Sequence, residues 1–163
     1  MYAVIYDGNC NLCVTLVQAL EKLDRGDRFT YVPMQDEPTL AKFNVTAQDC
    51  ELGMILINLE NPSQRWQGSN AAEEIGHLLP LSAPFIKAYR SFPGAKPAGD
   101  KTYEYVRDNR YDLFGKRETT YQPAYPLCAD DTCKPLSRSV EQLNMSSKPI
   151  SNNSQTNWKD SMR

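Results

Sequence analysis

Residues 2–13 read Tyr2-Ala3-Val4-Ile5-Tyr6-Asp7-Gly8-Asn9-Cys10-Asn11-Leu12-Cys13, and this stretch decides the fold. Its first five residues are apolar or aromatic β-formers, and Asp-Gly is a typical turn, so we predict a buried strand that ends there. Asn9 is the expected N-cap of a helix that ends near Arg25-Gly26. The apolar spacing of this helix is carried by Leu12, Leu16, Leu20 and Leu23. The two cysteines therefore fall in its first turn.

Strand and helix signals alternate through the next part of the chain. The further predicted strands are 28–32, which Pro33 ends, 54–59 and 65–67, and the further predicted helices are 37–43 and 69–79. The element order is therefore β-α-β-α-β-β-α. This order, with a cysteine pair opening the first helix, is typical of a thioredoxin-like α/β fold, a central sheet flanked by helices.

A helical appendix follows these elements. Residues 83–115 look helical and are interrupted at 92–97, and the clearest helix lies at 102–110. We therefore assign residues 1–117 to one thioredoxin-like domain that includes the appendix.

The remaining residues divide into two segments. Residues 118–136 form an extension that contains two cysteines. Residues 137–163 are rich in Ser and Asn and poor in apolar side chains, so we expect a disordered tail there.

Composition limits the classes of function. The chain has 163 residues, of which 40% are hydrophobic and 23% charged, and this fits one globular domain with tails. The formal net charge is -2 and Lys and Arg form no run, so we expect no nucleic-acid partner. No apolar stretch approaches the roughly 18 residues of a membrane span, so we expect no membrane association. Because no signal-peptide pattern follows Met1, we expect a cytoplasmic location.

Cys10 and Cys13 have the spacing of a redox-active dithiol. Five cysteines in a cytosolic chain indicate redox or metal chemistry, because reducing compartments keep most thiols open. Disulfide exchange needs a thiolate and a second thiol within reach. The positive end of the helix and its unpaired N–H groups favour the thiolate of Cys10. We therefore predict Cys10 as the nucleophile and Cys13 as the resolving thiol.

Other interpretations start from the same residues. The pair is alternatively half of a structural zinc site, or part of a non-catalytic module that binds a partner or senses redox state. Placement between an apolar strand and an amphipathic helix favours the redox interpretation, because zinc knuckles lie in turns between short strands. Haloacid dehalogenase phosphatases also open with a strand and Asp-x-Asp, but Asn9 stands here where the second acid is needed.

The motif and three later segments resemble a known family. The run from Asp7 to Cys13 resembles the Asp-x-x-Cys-x-x-Cys signature of the DCC family of predicted thiol-disulfide oxidoreductases. Similar later landmarks are Met54-Ile55-Leu56-Ile57, Trp66-Gln67-Gly68-Ser69-Asn70-Ala71-Ala72 and Tyr103-x-x-Val106-x-x-Asn109-Arg110-Tyr111. The resemblance implies a thioredoxin-like fold and dithiol chemistry. We expect protein or small-molecule disulfides and dithiols as substrates, and no cofactor.

Asp7, the first residue of that signature, can act on the motif thiols in two opposite ways. An ionised carboxylate nearby raises the pKa of the Cys10 thiol, whereas a partly buried carboxyl group moves a proton to or from Cys13. We favour proton transfer as its role. The alternative is that Asp7 only organises the Asp-Gly turn through hydrogen bonds to the backbone.

Three further cysteines lie outside the motif. Three interpretations are open for Cys128 and Cys133. They form either a second redox pair that exchanges electrons with Cys10 and Cys13, or a structural pair, or part of a metal site. Cys50 is either a small buried residue or a third thiol near the dithiol. It precedes the third strand, where thioredoxin-like proteins place a cis-proline. This chain has no proline there, so the substrate docking of thioredoxin is not carried over.

Overall fold

A four-stranded sheet lies at the centre of the computed structural model, which describes residues 1–80 and 82–127. Its strands are β1 (Tyr2–Tyr6), β2 (Phe29–Pro33), β3 (Ile55–Asn58) and β4 (Arg65–Gln67). The order across the sheet is β2-β1-β3-β4. Strand β1 runs parallel to β2 and antiparallel to β3, and β4 is antiparallel to β3. This arrangement confirms the thioredoxin-like α/β sheet that the sequence predicted.

Helices flank the sheet within the described residues. They are α1 (Asn11–Asp24), α2 (Glu37–Lys42), α3 (Ala47–Glu51), α4 (Ser69–Leu78), α5 (Ala83–Ser91), α6 (Ala95–Asp108) and α7 (Arg110–Phe114). Along β1, Val4 and Tyr6 pack in the same core as Val17 of α1, whereas Ile5 packs in a second core with Leu40 of α2. This alternation is the period-two pattern of a strand that is buried on both faces. The central strand therefore anchors both cores and carries the cysteine motif at its end.

The core-facing side of helix α1 matches the predicted face only in part. Leu20 packs against the core and Val14 and Val17 are buried, whereas Leu16 and Leu23 are 45% and 62% exposed. The inward face continues with two acids, which a pattern of apolar residues cannot reveal. The end of the helix is as predicted, because its C-cap, Arg25, adopts a left-handed φ of 55°.

One of the buried acids, Asp24, fixes the turn between α1 and β2. Its carboxylate accepts the backbone N–H groups of Arg28 at 3.0 Å and Phe29 at 2.9 Å. Charged side chains are rarely buried unless they have partners of this kind. The hydrogen bonds therefore explain why an acid occupies a core-facing position.

The second buried acid, Glu21, binds the last described residues to the domain. It accepts the backbone N–H of Ala124 at 2.6 Å. The same part of the chain runs beside β2, where the N–H of Tyr31 donates to the carbonyl of Tyr125 at 3.0 Å and the N–H of Leu127 donates to the carbonyl of Tyr31 at 3.2 Å. These bonds cover the outer edge of β2, which would otherwise present unpaired backbone groups.

Helix α3 lies just before β3, in a stretch around Cys50 for which the sequence predicted no helix or strand. It is short, and its start is closed by a capping box in which Thr46 and Asp49 exchange hydrogen bonds. A Thr followed three residues later by an acid is a recognisable signal for a helix start. The signal was present in the sequence, but the helix is too short to show apolar periodicity.

Helix α6 begins earlier than the predicted start near residue 102. The break before it is confined to the residues around Gly94, which adopts a left-handed φ of 85° at the N-cap. Pro97 lies in the first turn of the helix, where its missing N–H breaks no helical hydrogen bond. The appendix of helices that the sequence predicted is therefore confirmed, with a longer second helix.

Two predictions fall on residues outside the described part of the chain. These are the second cysteine pair, Cys128 and Cys133, and the tail at 137–163. Across residues 1–80 and 82–127, no helix has both the length and the apolar character needed to cross a membrane.

The orientation of α1 can be tested by two substitutions in that helix. Val17→Ala removes methyl groups from the core, so we expect the free energy of unfolding to fall by about 1–3 kcal/mol. Leu23→Ala removes a larger group from an exposed position and should change it by less than about 0.5 kcal/mol. Urea denaturation measures both values. Similar losses in the two variants would contradict the observed orientation of the helix.

Candidate active site

The cysteine motif lies where β1 passes into α1. Cys10 has extended backbone angles (φ -94°, ψ 122°) and is the N-cap of the helix, one residue after the predicted N-cap, Asn9. The Sγ atom of Cys10 accepts a hydrogen bond from the backbone N–H of Cys13 at 3.5 Å. A sulfur atom thus takes the place of the usual capping oxygen, where the partial positive charge of the helix start stabilises an anion.

The pKa values of the two motif thiols are shifted in opposite directions. The pKa of Cys10 lies below the ordinary value for cysteine, chiefly because Cys13 donates a side-chain hydrogen bond to it. Burial and the negative charge of Asp7 act in the opposite direction. The pKa of Cys13 is raised, first by the same hydrogen bond and then by burial. The arrangement therefore favours a thiolate at Cys10 and a protonated thiol at Cys13.

Asp7, buried at the end of β1, receives hydrogen bonds from three parts of the chain. Its Oδ1 atom accepts the backbone N–H of Asn9 at 2.9 Å and the side-chain amide of Gln35 at 3.1 Å. Its Oδ2 atom accepts the hydroxyl of Tyr111 and lies 3.5 Å from Nη2 of Arg110. Burial and the hydrogen bond to Asp7 raise the pKa of Tyr111, so its hydroxyl remains a donor. These partners offset the cost of burying a carboxylate.

A short segment, residues 115–117, covers Cys10, and we call it the strap. The carbonyl of its first residue, Gly115, accepts the backbone N–H of Asn11 at 3.3 Å. The N–H of its last residue, Arg117, donates to the carbonyl of Asn9 at 2.7 Å. Its middle residue is paired with Cys10 in an antiparallel bridge. The side chain of Asn9 is also engaged, because its oxygen accepts the hydroxyl of Thr120 at 2.8 Å. Cys10 is fully buried beside this segment.

Cys13 lies on a different surface. Its half-buried side chain lines an apolar cavity of about 70 Å³, which α6 closes on one side. Tyr103 of α6 lines this cavity, and its hydroxyl accepts the backbone N–H of Met54 at 3.2 Å. Gly53 makes room for that ring, since a Cβ atom there would lie 2.6 Å from the hydroxyl oxygen. Its φ of 118° also favours glycine.

Comparison with known proteins connects this geometry to a family. The model of the DCC1-like thiol-disulfide oxidoreductases matches residues 4–116, a range that includes the motif and the two residues of α7 that contact Asp7. The chain belongs to this family. It is also similar to the uncharacterized protein YuxK of Bacillus subtilis, with 24% identity over 121 residues that cover 74% of this chain and 86% of YuxK. No solved structure matches the chain.

In this family member, the structure brings the three predicted motif residues together. The charge of Asp7 acts on the thiols of both Cys10 and Cys13, which places it beside the dithiol. Asp7 also makes the backbone hydrogen bond to Asn9 that the turn-organising alternative requires. The bond to Asn9 uses one oxygen of the carboxylate, and Tyr111 and Arg110 bind the other.

Of the three cysteines outside the motif, the structure describes only Cys50. Cys50 is buried and lines the same cavity as Cys13, and burial is the main cause that raises its pKa to about 11. It is therefore a thiol near the dithiol, and it stays protonated at neutral pH. Cys128 and Cys133 lie outside the described residues. In residues 1–80 and 82–127, no group of three His, Cys, Asp or Glu side chains could hold a metal ion.

Several residues of the site were not assigned a role from the sequence. Arg110 and Tyr111 were noted only as landmarks of the resemblance, yet both contact Asp7. A charged residue and an aromatic residue at the end of a predicted helix were the available signal. Gln35 and the strap carried no such signal, because their contacts with the motif join residues 27 or more positions apart.

The cause of the low pKa of Cys10 can be tested with Cys13→Ala. This change removes the hydrogen bond that contributes most, so we expect the pKa of Cys10 to rise toward the ordinary value of about 8.5. The pKa of Cys10 is measured from the ultraviolet absorbance of its thiolate as the reduced protein is titrated. The signal of Cys10 is isolated by subtracting, for the wild type and for Cys13→Ala, the absorbance of the same protein carrying Cys10→Ser.

Cys50→Ala is the matched control for this titration. It removes a buried thiol whose pKa of about 11 keeps it out of the neutral range, so the midpoint of Cys10 should stay in place. A midpoint that Cys13→Ala also leaves in place would show that Cys13 is not the cause.

Proposed function

We propose that the protein is a thiol-disulfide oxidoreductase that exchanges disulfides through Cys10 and Cys13. The observation that carries the proposal is the pairing at the start of α1, where Cys10 accepts hydrogen bonds from both the backbone and the thiol of Cys13. A thiolate is the attacking species in disulfide exchange, and a lowered pKa increases its share at neutral pH. Membership of the DCC1-like family supports the same chemistry.

Cys10 is the nucleophile of the proposed reaction. Its thiolate attacks one sulfur of a protein or small-molecule disulfide, and the other substrate sulfur leaves with the electron pair of the broken S–S bond. Cys13 then attacks Sγ of Cys10 in the mixed disulfide, and the second substrate sulfur leaves. The substrate is reduced to two thiols, and the protein is oxidised to the Cys10–Cys13 disulfide.

Access to Cys10 requires a movement of the strap. The motif backbone on both sides of Cys10 is hydrogen-bonded to residues 115–117, and Cys10 itself has no exposed surface. Two main-chain hydrogen bonds and a side-chain bond from Arg117 to Asn11 hold the strap at the motif, and each is worth about 0.5–1.5 kcal/mol net. The binding of a substrate must offset these bonds before Cys10 can react.

Asp7 is the proposed acceptor of the proton that Cys13 must lose before it attacks. In the reduced dithiol the hydrogen bond to Cys10 is the largest cause that raises the pKa of Cys13. In the mixed disulfide the burial of Cys13 remains, and burial also raises this pKa, so the proton needs an acceptor at neutral pH. Asp7 lines the same cavity as Cys13, and its charge acts on that thiol. Arg110 and Tyr111 hold the carboxylate at this place. A positioned general base of this kind contributes about 10²- to 10⁴-fold to the rate of a step.

Cys10→Ser tests the redox function. We expect the reduced wild-type protein to undergo a reversible two-electron oxidation that forms the Cys10–Cys13 disulfide, located by mass spectrometry of alkylated peptides. Cys10→Ser should abolish this oxidation, while Cys50→Ser, the control, should retain it. Stoichiometric zinc bound through Cys10 and Cys13 in the purified protein would instead overturn the proposal in favour of a structural metal module.

Asp7→Asn tests the proton transfer. Removing the negative charge lowers the pKa of Cys10, since Asp7 raises it, so the thiolate fraction at neutral pH should not fall. Loss of the base should still slow closure of the mixed disulfide by about 10²-fold. The rate is measured in single-turnover experiments across a range of pH.

Asp112→Asn is the control for this experiment, because it removes the same charge from an exposed position on α7. It should leave both the rate and its pH dependence unchanged. A pH profile of Asp7→Asn that matches the wild-type profile would remove the proton-transfer role and leave Asp7 as an organiser of the turn.

A further inference from the structure

The two sulfur atoms of the motif face different surroundings. Cys10 is 0% exposed and lies against the strap, whereas Cys13 is half-buried and lines the apolar cavity. Cys10 is not among the residues that line that cavity. A sulfur atom that enters the cavity therefore meets Cys13 and not Cys10.

The walls of the cavity are mostly side-chain carbon. They are formed largely by Leu12, Leu16, Met34, Met54 and Val106. Leu16 is 45% exposed, so the cavity opens to solvent beside it. A space of about 70 Å³ suits a short alkyl chain and excludes a folded segment of another protein. Most of this lining offers a polar group no hydrogen-bonding partner in exchange for the water it loses, so the walls favour an apolar ligand.

Two guanidinium groups make the lining of the cavity positive. Arg107 and Arg110 both line it, against the single negative charge of Asp7. Asp7 pairs with Arg110 at 3.5 Å, and Arg107 pairs with Asp108, an exposed residue outside the lining. The attacking species in disulfide exchange is a thiolate anion. The charge of the lining therefore complements an incoming thiolate.

We propose that this cavity binds a small apolar thiol and that Cys13, rather than Cys10, is the sulfur that this thiol attacks in the oxidised protein. The inference rests on the proposed function and adds the second partner of the cycle, the thiol that returns the dithiol to its reduced form. Disulfide substrates react at Cys10 after the strap moves, and the reducing thiol reacts at Cys13 through the cavity.

The reduction balances in two steps. One thiolate attacks Sγ of Cys13, the Cys10–Cys13 bond breaks, and Cys10 leaves with the electron pair. A second thiolate attacks the ligand sulfur of the mixed disulfide, and Cys13 leaves and takes up a proton. The protein gains two electrons and the small thiol becomes its own disulfide. Attack at Cys13 leaves the departing charge on Cys10, whose sulfur accepts the backbone N–H of Cys13 at the start of α1.

Two thiols of equal size test the chemical class. Butane-1-thiol and 3-mercaptopropan-1-ol have the same number of heavy atoms and differ in a terminal methyl or hydroxyl group. With rates expressed per thiolate, we expect butane-1-thiol to reduce the oxidised wild-type protein about tenfold faster. Equal rates for the two thiols would overturn the proposed substrate class.

A pair of variants in α1 ties this preference to the cavity. Leu16→Gln places a polar group on the cavity wall and should abolish the preference for butane-1-thiol. Leu23→Gln makes the same change at an exposed position of the same helix outside the cavity and should preserve it. Both positions are partly or largely exposed, so both variants should fold. A preference that survives Leu16→Gln would place the thiol site elsewhere.

Adduct mapping identifies the sulfur that reacts. Reduced Cys10→Ser and Cys13→Ser proteins are each treated with dibutyl disulfide, the product of the proposed reduction, so that the second step of that reduction runs in reverse. The modified cysteine is located by mass spectrometry of peptides. Per thiolate, we expect the butyl adduct on Cys13 of the first variant to form about tenfold faster than the adduct on Cys10 of the second. The reverse order would overturn the assignment of Cys13.

The outcomes separate this inference from the proposed function. If the wild-type protein forms no reversible Cys10–Cys13 disulfide, the proposed function fails and the inference fails with it. If that disulfide forms but butyl adducts accumulate on Cys10, only the inference about Cys13 fails.

Discussion

The carboxylate of Asp7 binds donors from the motif turn, from the loop after β2 through Gln35, and from α7 through Arg110 and Tyr111. Because a buried carboxylate is costly without partners, these segments are held together at one point. The strap follows α7 directly, so its position over Cys10 depends on the same contacts. The charge that organises the site also raises the pKa of both motif thiols, and the hydrogen bond from Cys13 outweighs this effect at Cys10.

The dithiol is asymmetric because its two cysteines occupy different positions on α1. Cys10 caps the helix, receives hydrogen bonds and is covered, whereas Cys13 donates them and faces an apolar cavity. The sulfur with the lower pKa is therefore the less accessible one. In the proposed cycle, this arrangement fits two partners that reach the dithiol through different surroundings. The same proposal implies limited exchange with arbitrary thiols, since one sulfur is covered and the other lies in a small, mostly apolar space.

Much of the fold could be predicted because its elements carry strong local signals. Strand β1 has an unbroken apolar run, β4 was placed at its observed residues, and the order of elements indicated the sheet. The orientation of α1 could not be predicted, because Glu21 and Asp24 face inward through hydrogen bonds to backbone groups outside the helix, those of the following turn for Asp24 and that of Ala124 for Glu21. Helix α3 was missed because five residues are too few for periodicity to appear.

The sequence by itself determined the chemistry: a Cys-x-x-Cys pair at the start of a helix after a buried strand, preceded by an acid. These are local properties, since capping and the helix dipole act within one turn. Only the tertiary structure decided which sulfur is covered, which one meets the cavity, and what holds Asp7. Those features depend on contacts between residues about 100 positions apart, such as Arg110 with Asp7, and no local pattern encodes which distant side chain supplies a buried group with its partner.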